Sequence, residues 1–462
     1  MAVIRVTINY QHSADPAKFG QYNLCLSDEM GLQQNVELKF NINDLWRFAR
    51  DTSSVAFDFL IFAMSVYNAD RAVNRSKYSE EGWKRNILLQ VPVINVAAME
   101  RGLHSFRSAV DFLTGDDWDF EFVQAEPYNY APPCIQFENL QDYAGVSLFS
   151  GGLDSLIGFI DGCSLLPTDK KMLLISHAEL GKEGKDQKRI LGICEANRLF
   201  EGQYDRAFIS AGLKLRRGNT LQTEATFRAR SILFFAAGIY CANAISSNMP
   251  LIIPENGTIS LNIPLDKGRR SACSTRTTHP VFLHRLQNAL NAIGIRNLLV
   301  NPYQLKSKKD MVDECCQNAE KKRALVMLSR ESCSCAKRSH KHYWVRRNVL
   351  HCGACLPCLY RRVSLSDVNE LRSEQYGLDV FSTTEIQIDR SDIKCNRDFK
   401  SLLYFLKNRC KREVIETELI ANGITSLEDI RTFTDFILHS YGQVKNWLNT
   451  YADVNIKQMA GL

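Results

Sequence analysis

Three features of the 462-residue chain predict an α/β fold built on a doubly wound parallel sheet. From about residue 141, short apolar runs alternate with stretches of helical character. A turn rich in glycine and serine sits where one such run meets a helix. No run of about 18 apolar residues could span a bilayer.

The segment 1–140 reads differently. Ile4, Val6, Ile8 and Tyr10 alternate with Arg5, Thr7 and Asn9. Val36, Leu38, Phe40 and Ile42 repeat the pattern, as do Trp118, Phe120 and Phe122 between acidic residues. These are half-buried strands. Ser53-Ser54 caps a helix through Phe59, Phe62, Ala63 and Val66. An N-terminal α+β accessory domain for recognition or assembly is expected, with Ala131-Pro132-Pro133 as its linker.

In 141–365, strands are expected at Val146–Phe149, Met172–Ser176, Arg206–Ser210 and Leu251–Pro254, with helices near Asp186–Phe200 and Glu224–Ala244. The region 366–462 reads as helical. Thr425 with Glu428 forms a capping box for a helix whose Phe433, Phe436, Ile437, Tyr441, Val444 and Leu448 make one apolar stripe.

A net charge of +6 permits an anionic ligand but does not call for nucleic acid as the direct substrate. The first residues lack a basic region followed by an apolar stretch, so a cytoplasmic protein is expected. Fifteen cysteines in that setting point to reduced thiols and metal rather than a disulfide framework.

The chemistry centres on Phe149-Ser150-Gly151-Gly152-Leu153-Asp154-Ser155. Gly151 and Gly152 allow a tight turn and close approach of a ligand to the main chain. The first-turn amides of the following helix face outward as an anion site, and Ser150 and Ser155 add hydroxyls. Asp154 would repel an anion unless a divalent cation bridges them. There is no Lys after Gly152, which rules out a Walker loop.

The second feature is His351-Cys352-Gly353-Ala354-Cys355-Leu356-Pro357-Cys358. Its C-x-x-C steps turn thiolates toward one tetrahedral zinc. The fourth ligand must come from outside, and Ser332-Cys333-Ser334-Cys335 offers two thiols. His351 competes, although its neighbour position reaches the same ion poorly. An iron–sulfur cluster is the alternative.

The wording Ser150-Gly151-Gly152-Leu153-Asp154-Ser155 resembles the pyrophosphate loop of the ATP pyrophosphatases. Together with Ser332-Cys333 and the Cys-Gly-x-Cys-x-x-Cys run, it is similar to the 7-cyano-7-deazaguanine synthases over roughly 145–365. That resemblance implies ATP, Mg²⁺ and Zn²⁺, with 7-carboxy-7-deazaguanine converted to an amide and then a nitrile. It implies Cys333, Cys352, Cys355 and Cys358 as zinc ligands. Thr226–Ser231, with Arg230, is similar to the family's nucleotide-side segment, and Ser307-Lys308-Lys309-Asp310 to its Thr-Lys-x-Glu.

The chain departs from the family in a basic insert, Lys337–His342, in the wording of 254–262 and 274–280, and in its two extra terminal regions. Those departures resemble diverged members found in bacterial anti-phage defence, for which the acceptor is expected to be an amine on a partner protein. On this reading residues 149–155 hold the nucleotide and Asp154 carries Mg²⁺. Arg230 and Lys308 neutralise developing charge, Arg276 meets the substrate carboxylate, and Glu255 and Asn256 read the guanine-like edge. An ordinary synthase using ammonia, a tRNA-modifying relative and a non-catalytic zinc-stapled adaptor are the competing readings.

Overall fold

The computed structural model describes residues 3–15, 18–28, 31, 33–79, 83–128, 130, 136–178, 181–215, 221–266, 276–381 and 393–462. The expected linker at 131–133 and the residues Ser274 and Thr275 lie outside them. The strands are β1 Val3–Gln11, β2 Gln21–Ser27, β3 Gln33–Asn41, β4 Asn86–Val93, β5 Asp117–Gln124, β6 Tyr143–Leu148, β7 Lys171–His177, β8 Tyr204–Lys214, β9 Leu251–Ile252 and β10 Leu299–Val300. The helices of the first half are α1 Val55–Ala72, α2 Arg75–Tyr78, α3 Val96–Arg101, α4 Leu103–Thr114, α5 Leu153–Leu165, α6 Gly181–Ala196 and α7 Arg230–Ile245. Those of the second half are α8 Gly257–Leu261, α9 Pro280–Ala292, α10 Lys308–Gln317, α11 Ala319–Ser329, α12 Leu356–Leu365, α13 Ile393–Asn408, α14 Arg412–Ala421, α15 Leu427–Tyr451 and α16 Val454–Ala460. No described helix is long and apolar enough to cross a membrane.

The strands form one mixed sheet in the order β10-β9-β6-β7-β8-β3-β2-β1-β4-β5. Its first five strands are parallel, as the β-α-β rhythm predicts. The N-terminal strands do not stand apart. β3 pairs antiparallel with β8, placing Phe40 opposite Ala211 and Leu38 opposite Leu213. β8 outruns the expected Arg206–Ser210 strand because its second half is this partner for β3.

One hydrophobic core accordingly spans both halves. The alternation in β1, β3 and β5 buries Ile4, Val6, Ile8, Val36, Leu38, Trp118 and Phe120. Ser54 caps α1 as expected, accepting from the Phe57 amide at 3.2 Å. α1 is apolar on nearly every side, so Phe59, Leu60, Phe62 and Ala63 are fully enclosed. It packs on α7, which belongs to the parallel half.

Charge reinforces this contact. Buried Arg85 pairs with Asp70 and Asp116 at 2.5 and 2.6 Å, and the Asp70 carboxylate also accepts from the Ala229 amide just before α7. The helix expected from Glu224 starts only at Arg230. Glu224 accepts from the amides of Arg75 and Thr226, and these bonds hold 224–229 as a docking turn.

A second core on the opposite face gathers Phe149, Leu156, Ile160, Ile190, Met311 and Leu325 from the loop, α5, α6, α10 and α11. A third joins the cysteine segment to the C-terminal helices, with Cys355, Leu359, Phe399, Phe433 and Tyr441 in one cluster. The apolar stripe of α15 is buried as predicted. Its cap lies one residue beyond the expected capping box, with Ser426 accepting from Asp429 in place of Thr425 and Glu428.

Because β8 and α7 are covered by β3 and α1, a fragment 141–462 is expected to lose near-UV circular dichroism and to bind ANS while keeping most of its far-UV signal. A fragment with a native near-UV spectrum would show the halves to be separable.

Candidate functional site

β6 lies between β7 and β9, and the chain leaves it in both directions: first to β7 and β8, later back to β9 and β10. In open α/β sheets ligands bind at such a reversal, here at the carboxyl ends of β6 and β9. The expected loop fills this position. Gly151 has φ +83°, a left-handed conformation that favours glycine. Gly152 is the N-cap of α5 without a side-chain cap. Ser150 Oγ lies 3.0 Å from Ser155 Oγ and accepts from the Gly152 amide at 3.3 Å.

Residues not anticipated from the sequence hold the loop from behind. Gln187 Nε2 donates to the carbonyls of Ser150 and His177, both at 3.1 Å. Arg206 donates to Gln187 and to Ser176, and Ser176 in turn donates to the Phe149 carbonyl. Gln187 and Ser176 are completely buried. A polar residue on the inner face of a helix was the only available signal, and it does not say what the residue holds.

Asp154, in the first turn of α5, meets side chains from two other segments. Lys308 Nζ hydrogen-bonds Asp154 Oδ1, with both side chains over nine-tenths buried. Asn256 Nδ2 donates to Asp154 Oδ2 at 2.7 Å, while its own Oδ1 caps α8 through the Ile259 amide. Glu255 joins the same group, and its backbone carbonyl accepts from Asn301.

Burial opposes the Asp154 charge. The Lys308 ammonium and the bonds from Glu255, Lys308 and Asn256 outweigh it and hold this carboxyl below the usual range. Burial and the Asp154 charge push Glu255 well above it. The group therefore sets one carboxylate against one ammonium, with a second carboxyl, Glu255, whose charged form is disfavoured beside them. Lys308 is fixed by its helix start, where Ser307 and Asp310 form a reciprocal capping box.

Asp154, Lys308, Glu255 and Asn256 are thus brought together. Glu255 and Asn256, expected to read a base edge, are spent largely on Asp154. The two arginines are not with them. Arg230 pairs with Glu183 at 3.0 Å with both side chains partly exposed. Arg276 donates to the Phe112 carbonyl and to Asn422, and lies over the Phe112 ring. These contacts join α4 to the turn after α14. His279 caps α9, and burial with the charges of Arg276 and Arg285 lowers its pKa to about 3.

The thiol cluster corrects one expected ligand. Cys335, Cys352, Cys355 and Cys358 have their sulfurs within 4.8 Å of one another, and Cys333 is not among them. Cys333 Sγ is directed at the Leu350 carbonyl. The resemblance favours the first cysteine of Ser-Cys-Ser-Cys, whereas the backbone presents the second. The amides of Lys337 and Cys352 both point at Cys335 Sγ, at 3.4 Å. The amides of Ala354 and Cys355 point likewise at Cys352 Sγ. Gly353 makes the second bend at φ +85°, where a Cβ would meet the Leu378 carbonyl at 2.7 Å.

The four residues fit one zinc ion. A tetrahedron with arms of about 2.3 Å has sulfur edges of about 3.8 Å, and Cys352 and Cys358 sulfurs stand 3.8 Å apart. Hydrogen bonds from the other three thiols pull Cys352 far below the usual thiol range, while burial pushes Cys355 and Cys358 well above it. Four thiolates this close need a cation between them. His351 is not a fourth donor: its ring faces the Ser334 amide and Glu374. Arg361, fully buried, clamps Glu374 through two 2.8 Å bonds and reaches Ser332, anchoring the segment before Cys333.

The chain matches no protein-family model, no curated protein and no solved structure. What the site does must be argued from its own residues.

Zinc analysis separates the two cysteines. Cys333→Ser is expected to retain one zinc per chain and Cys335→Ser to lose it. The reverse result would restore Cys333 as the ligand.

Lys308→Met leaves Asp154 buried without its cation and is expected to cost about 3–5 kcal/mol in urea unfolding. The penalty should be smaller when Asp154→Asn is added.

The raised pKa of Glu255 means that the unfolded chain releases this proton first as pH rises. Its stabilisation is complete below the unfolded value, about 4.3, and is lost as pH climbs toward the folded value. Glu255→Gln should therefore flatten the decline of unfolding free energy as pH rises above the unfolded value of about 4.3. Parallel curves for the two proteins would contradict this assignment.

Proposed function

We propose that this chain is an ATP-dependent enzyme that activates the carboxylate of a 7-deazaguanine, 7-carboxy-7-deazaguanine, as its adenylate and transfers the acyl group to an amine. In this reading the amine belongs to a partner protein within a bacterial anti-phage defence system. The observation that carries the reading is the meeting of Asp154 and Lys308 at the sheet's switch point, beside the Ser-Gly-Gly turn.

A carboxylate is a poor acyl donor because oxide would have to leave. Attack of its oxygen on the α-phosphate of ATP expels pyrophosphate, and the amine then displaces AMP from the acyl carbon. Charge builds on phosphate oxygens in the first step, so catalysis depends on placed donors and cations. The hydroxyls of Ser150 and Ser155 and the turn amides not bonded to Ser334 would hold the pyrophosphate. Lys308 would turn its charge from Asp154 toward the phosphates, leaving Asp154 as an oxygen ligand for Mg²⁺. That ion would supply charge neutralisation across the phosphates.

The raised carboxyl of Glu255 would keep the site from holding two adjacent negative charges before the nucleotide arrives. The four-thiol site supports this reading as a closed structural centre that leaves no open position for substrate.

The test is incubation with ATP, Mg²⁺ and 7-carboxy-7-deazaguanine, adding ammonia or the neighbouring gene products in turn, followed by mass spectrometry. AMP release and a mass gain on a partner protein are expected, slowed about a hundredfold or more in Asp154→Ala. AMP with a free nitrile would identify an ordinary synthase. No AMP under any condition would refute the catalytic reading and favour the adaptor.

A further inference from the structure

We propose that the cysteine segment is the positioning element of the Ser-Gly-Gly turn, with Ser334 as its positioning residue, so that metal occupancy sets the order of the turn. Helix α5 begins at Gly152, which offers no capping side chain. The missing cap is supplied by a residue 181 positions away: the Leu153 amide donates to Ser334 Oγ at 3.2 Å. On the other side of the turn, the Cys333 amide donates to the Gly151 carbonyl at 2.9 Å. Residues 333 and 334 thus grip a stretch whose two glycines have no side chains to pack.

The grip is only as firm as its own anchors, and these lead to the thiols. Cys335 follows Ser334 directly and is one of the four grouped sulfurs. The Ser334 amide faces His351 Nε2 at 3.5 Å, and His351 immediately precedes Cys352 in the cluster. An ion among the four sulfurs therefore ties 335 to 352 and holds Ser334 over α5. Without the ion, no bond ties 335 to 352, and the turn loses its cap and its pin together. The metal thereby governs a loop it does not touch.

This inference rests on the nucleotide reading only for its effect on ATP. Two measurements keep the failures distinct. Hydrogen–deuterium exchange over 149–156 would be followed in the zinc-loaded protein, in protein stripped by a chelator, and in zinc-loaded Ser334→Ala and Ser334→Thr. ATP affinity would be measured on the loaded proteins by equilibrium dialysis.

With zinc content unchanged, Ser334→Ala is expected to speed exchange in this segment about three- to tenfold and to weaken ATP binding by a similar factor. Ser334→Thr, which keeps the hydroxyl, should restore both. Stripping zinc should speed exchange there at least as much as Ser334→Ala. Exchange in 149–156 that ignores both zinc removal and Ser334→Ala would overturn the proposal. If zinc removal unfolds the whole chain, Ser334→Ala alone decides, since it leaves all four thiols in place. If the parent protein binds no ATP, the nucleotide reading fails while the exchange measurement still decides the positioning role.

Discussion

One buried negative charge organises the centre of this protein. Asp154 sits at the start of α5, and burial alone would neutralise it. It stays ionised because Lys308 arrives from α10 and Asn256 from the turn after β9. Three segments far apart in sequence must therefore be in register before the charge is tolerated. Lys308 depends on the Ser307–Asp310 box, and Asn256 depends on its bond to α8. The C-terminal helix α15 extends the dependence. Gln443 bonds both Ser307 and Asp310, and Ser440 bonds Thr258, so a region without chemical motifs buttresses both partners of Asp154.

The parallel sheet, the loop and the thiol cluster were legible because each depends on local rules. Apolar runs make buried strands, two glycines make a turn, and C-x-x-C steps make a metal knuckle. Asp154 was legible in the turn itself, and Glu255 and Asn256 in their place after a parallel strand, whereas Lys308 was reached only through the resemblance. Arg230 and Arg276 lie apart from that group, because an arginine's reach exceeds its sequence neighbourhood. Nothing nearby shows that Glu183 and Phe112 claim them. The choice between Cys333 and Cys335 turned on which sulfur the backbone amides surround, a property of the folded segment alone.

The continuity of one sheet across residue 140 is the larger difference from the expected arrangement. The strands and helix of the first 140 residues were visible in periodicity, but their destination was not. An alternating strand shows which face is buried and is silent about which strand lies beside it. β3 completes the sheet of the parallel half, and α1 fills the groove beside α7. The Arg85–Asp70–Asp116 network sits behind this junction, and its charges are paired within the first half while Asp70 also holds the entry to α7.

The two borders of the sheet differ. β10 contributes only two residues, and β5 places Asp117, Asp119 and Glu121 at alternate positions along the other border. A short strand gives a newcomer little backbone to pair with, whereas the acids of β5 are each paired with a base, Lys84, Arg107 and Arg5. At the β10 border a joining protein therefore recognises side chains and loops, since its own strands find little template there. That distinction bears on how an assembly could remain reversible. Contacts made through side chains can be released without tearing a hydrogen-bonded ladder, and they leave the described sheet and the site at its carboxyl ends unaltered.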